Sequence, residues 1–94
     1  MNKVETLRRI IAYNKDLLSV LVERDLPYVR MYMGPVRPFE VQLRQATLLV
    51  TLVPLPDKMV RLIIVPSGLI KMTSISEFPE ALLTQKLYKF FNQF

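Results

Sequence analysis

The stretch LLVTLVPLPDKMVRLIIV, residues 48–65, decides the fold. Two apolar runs flank Pro54, Pro56, Asp57 and Lys58. Proline cannot donate to a strand ladder, so the pattern predicts consecutive antiparallel strands at 48–53 and 59–65 with a turn over 54–58. Thr51 is the one polar residue of the first run and Arg61 of the second, so both faces of these strands are apolar. In a two-layer domain, helices cover one face of the sheet and the other meets water. Each large aliphatic side chain left on that second face forfeits about 1.5–3 kcal/mol. Several of them would remove much of a small domain's stability. The sheet must therefore curl into a barrel or be covered by a second molecule.

Upstream of this pair, Val29, Met31 and Met33 alternate with Tyr28, Arg30 and Tyr32, and Phe39, Val41 and Leu43 alternate with Glu40, Gln42 and Arg44. That period of two predicts two further strands, punctuated by Gly34, Pro35 and Pro38, with a turn at residues 45–47. Downstream, Pro66 and Gly68 break the chain before a short strand over 69–75. The N-terminal segment 4–24 carries Val4, Leu7, Ile10, Ile11, Leu17, Leu18, Leu21 and Val22 at ~100° per residue, which predicts an amphipathic helix. Asn2 with Glu5 three positions on has the spacing of a capping box, and Asp25-Leu26-Pro27 closes the helix. A last helix is expected from a Ser76 cap, with Pro79 in its first turn and Leu83, Leu87, Phe90, Phe91 and Phe94 on one face. The expected fold is α+β: an N-terminal helix, an antiparallel meander of four or five strands and a C-terminal helix, packed in two layers over residues 1–94.

With 94 residues, the chain has room for one domain. It contains no Cys and no His. Disulfide frameworks, thiolate or imidazole metal sites and His-dependent nucleophilic catalysis are thereby excluded. Gly34 and Gly68 are the only glycines, so there is no phosphate-cradling loop, and no paired-carboxylate motif stands out. The Glu77 and Glu80 pair is explained by the N-terminal dipole of the last helix. No catalytic residue, metal ligand or cofactor is assigned, and the chain reads as a non-enzyme. A charge by Lys3 and another by Glu5 leave no apolar leader, and no apolar run reaches the ~20 residues of a membrane span, so an intracellular protein without stable membrane insertion is expected.

Thirteen basic against eight acidic residues give a net charge of +5. The excess lies in residues 26–75, where Arg30, Arg37, Arg44, Lys58, Arg61 and Lys71 face only Glu40 and Asp57. Tyr28, Arg30 and Tyr32 on one strand face, with Arg37, Arg44 and Lys71, have the chemistry to stack unpaired bases and neutralise phosphates. An ordinary strand with a cation–π contact would show the same residues. Arg9, Tyr13, Val20 and Arg24 share a flank of the first helix, which reads as solvated. Asn14 falls within the apolar stripe, where it needs a hydrogen-bond partner, either in the chain or across a symmetric interface.

Two functions follow. The first is a non-catalytic assembly protein, a homo-oligomer joined through an apolar sheet face carrying Leu48, Val50, Leu52, Val60, Leu62 and Ile64, open also to a protein partner. The alternative is a small basic RNA- or DNA-binding protein using the strand-borne Arg and Tyr residues.

Overall fold

The structure, a computed structural model, describes residues 2–30, 38–68 and 73–94. Helix α1 spans Lys3–Glu23 and is followed by strands β1 (Tyr28–Arg30), β2 (Phe39–Gln42), β3 (Ala46–Leu55), β4 (Met59–Gly68) and β5 (Ser74–Pro79). A 3-10 turn, η1 (Glu80–Leu82), leads into helix α2 (Leu83–Phe91). The strands form one antiparallel sheet in the order β1-β2-β3-β4-β5, and the fold is α+β.

Local chemistry sets the ends of α1. Asn2 Oδ1 accepts from the Glu5 amide at 2.7 Å, satisfying one of the orphan donors of the first turn. At the other end the Leu26 amide donates to the Leu21 carbonyl at 2.9 Å and the Asp25 amide to the Val22 carbonyl at 3.1 Å. That double bond pattern is a Schellman motif, and Asp25 takes its left-handed position at φ 55°.

The central hairpin is longer than the sequence suggests. Pro54 lies inside β3 opposite Val60, and Pro66 inside β4 opposite Leu48. Among the described residues, β2 pairs with β3 as far as Val50 and β5 with β4 as far as Ile64, so the described partner of each proline lies across the β3–β4 hairpin alone. Asp57 and Lys58 turn the chain at φ 61° and 56°, the φ signs of a type I′ hairpin, without the glycine that usually marks it. At the far end of β4, Gly68 sits at φ 90°, where an added Cβ would come within 2.8 Å of the Gln45 carbonyl oxygen. The turn between β2 and β3 falls at residues 43–45, earlier than the expected 45–47.

The C-terminal helix also starts later than expected. Ser76 does not cap it; it pairs with Leu62 in β5, because strand geometry delivers Phe78 opposite Val60 into the core. Glu77 and Glu80 are therefore not neighbours on a helix. The strand expected over 69–75 falls largely outside the described residues.

The core fills the space between the helices and one sheet face. Ile10, Tyr13, Leu17, Val20 and Leu21 come from α1, and Leu83, Leu87 and Phe91 from α2. They meet Val41, Leu48, Val50, Val60 and Ile64 of the sheet, all at most 1% exposed. The apolar stripe of α1 is thus split: Val4, Leu7, Ile11 and Val22, expected with the core residues, are exposed.

Candidate interaction surface

Alternation along β3 and β4 sorts their apolar residues onto two faces. Ala46, Leu48, Val50, Leu52 and Pro54 are buried, as are Val60, Leu62 and Ile64. The six residues expected at the oligomer interface, Leu48, Val50, Leu52, Val60, Leu62 and Ile64, are therefore core residues under the helices, at most 4% exposed. This corrects the choice of face. The sequence holds the signal for it: in β3 and β4 the odd-numbered phase contains the polar residues Thr47, Thr51, Arg61 and Ser67, while the even-numbered phase is wholly apolar. In β2, Glu40 and Gln42 alternate with buried Phe39 and Val41, and the register aligns Phe39 with Val50 and Val41 with Leu48.

The opposite face carries Leu49, Val53, Leu55, Met59, Ile63 and Val65, joined by Ile75 from β5. Cross-strand register places Thr51 beside Ile63, Ile63 beside Ile75, and Leu49 beside Val65. Val65 is 43% and Ile75 65% exposed, while Leu49, Val53 and Ile63 are half-buried by their own neighbours. Within this apolar field Arg61 lies between Val53 and Glu77, and its Nη2 donates to Glu77 Oε1 at 2.9 Å. The ion pair is the cross-strand opposite-charge arrangement that stabilises a sheet, and it leaves the face locally neutral.

On the helix side, Arg9 makes a polar knot. Its Nη1 donates to the Leu55 carbonyl at 2.6 Å, its Nη2 to the Met59 carbonyl at 2.5 Å, and its Nε to Glu80 Oε2 at 3.1 Å and to Tyr13 Oη at 2.8 Å. Tyr13 in turn donates to Glu80. Burial, then the bond to Glu80, pushes the Tyr13 phenol up to about 12. Burial acts to lower the Arg9 guanidinium, but Tyr13 and Glu80 outweigh it and hold the group above its ordinary value. The flank containing Arg9, Tyr13 and Val20 is consequently packed, not solvated; the spacing of Arg9 and Tyr13, four apart on one helix, was its only sequence trace. A second tie between the helices runs from Tyr88 to Glu23, and that bond raises the Tyr88 phenol.

Of the residues expected to contact nucleic acid, Tyr32, Arg37 and Lys71 lie outside the described residues. Tyr28 and Arg30 belong to β1, the edge strand, where they pair with Val41 and Phe39. The Tyr28 ring packs edge-on against Phe39 at 5.8 Å. Arg44 is exposed at the β2–β3 turn. In the terminal aromatic run Phe91 is fully buried, Phe90 stands edge-on between Phe91 and Phe94, and Phe94 is 40% exposed. Asn14 Nδ2 is closed off from water without a hydrogen-bond partner.

Among the described residues no group of three acidic side chains is placed to hold a metal ion, and no helix is long and apolar enough to cross a membrane. No protein-family model, no curated protein and no solved structure matches the chain.

Proposed function

We propose that this chain is a non-catalytic assembly module that works as a homodimer, two copies packing the outer faces of their sheets together. The observation that carries this reading is the outer face of β3, β4 and β5, where Leu49, Val53, Ile63, Val65 and Ile75 lie on the side of the sheet away from both helices. A second copy is the occupant that suits it. The face is apolar, its two charges are already paired with each other, and an isologous contact requires only that a patch complement itself. Sheets pack face to face ~10 Å apart with their inner side chains interdigitated, and a field of branched aliphatic residues meets that requirement.

The size of the face sets the expected strength. Three strands ~4.8 Å apart and about 20 Å long offer a footprint on the order of 300 Å², comparable to the largest functional patches on monomers. That is smaller than the ~800 Å² per partner of a standard stable interface, so weak, concentration-dependent association is expected.

The test is a pair of substitutions on opposite faces. Ile75→Lys with Ile63→Lys should yield a folded monomer by size-exclusion chromatography and circular dichroism, because neither residue supports the core. Leu62→Ala, on the helix side, should lower stability while leaving the oligomer intact. An oligomer that survives the double lysine variant would show that this face is not the contact.

A further inference from the structure

The split apolar stripe of α1 leaves a second surface. Ile10, Tyr13, Leu17, Val20 and Leu21 face the sheet, but Val4, Leu7, Ile11 and Val22 stand 59%, 45%, 65% and 64% exposed. With half-buried Asn14 and Leu18, they run along the helix at successive spacings of three, four, three, four and four residues. From Val4 to Leu18 that is the alternation of the a and d positions of a coiled coil, whose side chains insert between those of a facing helix. A sheet or an irregular loop offers no holes at this spacing.

Charge chooses between kinds of helix. At ~100° per residue, Lys3, Arg8 and Lys15 flank the seam, while Glu5, Asp16 and Glu23 project roughly 135–155° away from its centre. Two copies of α1 laid seam to seam would bring Arg8 and Lys15 against their own kind, which opposes pairing. An anionic membrane would meet the bases, but the seam has no aromatic anchor and carries an amide in its middle, unlike surface-adsorbing helices. We infer that the exposed seam of α1 docks an amphipathic helix of a partner protein whose flanks are acidic.

Asn14 is the one polar residue of the seam, and it is half-buried. A polar group at one seam position selects the register and identity of the facing helix. The seam lies on the helix layer and the proposed dimer face on the far side of the sheet, so both can be occupied together. A dimer would then present two seams and bind a bivalent acidic partner with avidity.

The test uses two synthetic helical peptides with Leu and Ile at the a and d positions, one bearing Glu and the other Lys at the flanking e and g positions. Fluorescence anisotropy should show the chain binding the Glu peptide at least about tenfold more tightly than the Lys peptide. Ile11→Asp and, separately, Leu7→Asp should abolish that binding with circular dichroism unchanged. Arg8→Glu with Lys15→Glu should reverse the preference toward the Lys peptide. Failure of both peptides to bind, or binding indifferent to their charge, would overturn the inference. So would Ile11-dependent binding to phosphatidylserine vesicles with no peptide binding, which would make the seam a lipid contact.

Discussion

The guanidinium of Arg9 donates to the carbonyls of Leu55 and Met59 at the tip of the β3–β4 hairpin, and to Glu80 in η1, so one side chain ties α1 to the hairpin and to the start of the C-terminal helix. Arg9→Met would strand these acceptors and Glu80 together, a predicted loss of about 2–4 kcal/mol readable from urea unfolding. Arg9→Lys should recover only part of it, because a point-like ammonium cannot replace a planar fork of donors. The same knot makes stability depend on alkaline pH. The Tyr13 phenol titrates near 10 unfolded and about 12 folded, so the native state favours its protonated form. The stabilisation is complete below pH 10 and lost as pH rises from 10 to about 12, on the order of 2 kcal/mol. Tyr13→Phe should therefore flatten the fall in melting temperature across that window; a slope identical to the parent chain would count against the assignment. Asn14→Leu should raise stability by about 1 kcal/mol by removing the orphan Nδ2 donor.

At the scale of elements, three of the described non-glycine residues carry left-handed backbone where glycine is the easier choice: Asp25 in the Schellman motif and Asp57 and Lys58 in the hairpin turn. Asp25→Gly and Lys58→Gly are each predicted to stabilise by about 0.5–1 kcal/mol, since a side chain at positive φ is strained. Gly68→Ala should do the reverse, because its Cβ would press on the Gln45 carbonyl oxygen. These positions also mark where the sequence was legible and where it was not. Period and punctuation identified α1 and the order of the strands, because apolar spacing is a local signal. Pro54 and Pro66 read locally as strand ends, yet both continue the hairpin opposite Val60 and Leu48, a fact of tertiary pairing. Ser76 has the chemistry of a cap, but burial of Phe78 opposite Val60 holds the chain extended through it. Helical spacing alone leaves Arg9 on a solvated flank, because its acceptors at Leu55, Met59 and Glu80 are distant in sequence.

For the whole molecule, the informative feature is that its apolar residues exceed what one core can hold. The even-numbered phase of β3 and β4 goes beneath the helices; the odd-numbered phase and the seam of α1 remain outside. The sequence carried the excess plainly, in strands apolar on both faces, but the face had to be read from Thr51, Arg61 and the polar phase of β2. A chain bearing +5 resists indiscriminate collapse through these surfaces. Because Arg61 and Glu77, the two charges that β3, β4 and β5 place on the outer face, pair with each other, dimerisation through those strands should change little with salt. The α1 seam, flanked by Lys3, Arg8 and Lys15, should lose affinity for an acidic helix as salt rises.

Sedimentation equilibrium of the unmodified chain from about 1 to about 500 μM, a span wide enough to populate a weak contact, tests the dimer itself. A homodimer joined through the outer sheet face gives a mass rising with concentration from the 11.0 kDa of one chain to twice that value and no further, since an isologous contact closes on itself. A mass held at that of one chain throughout would contradict it and leave the apolar face of the sheet to a different partner.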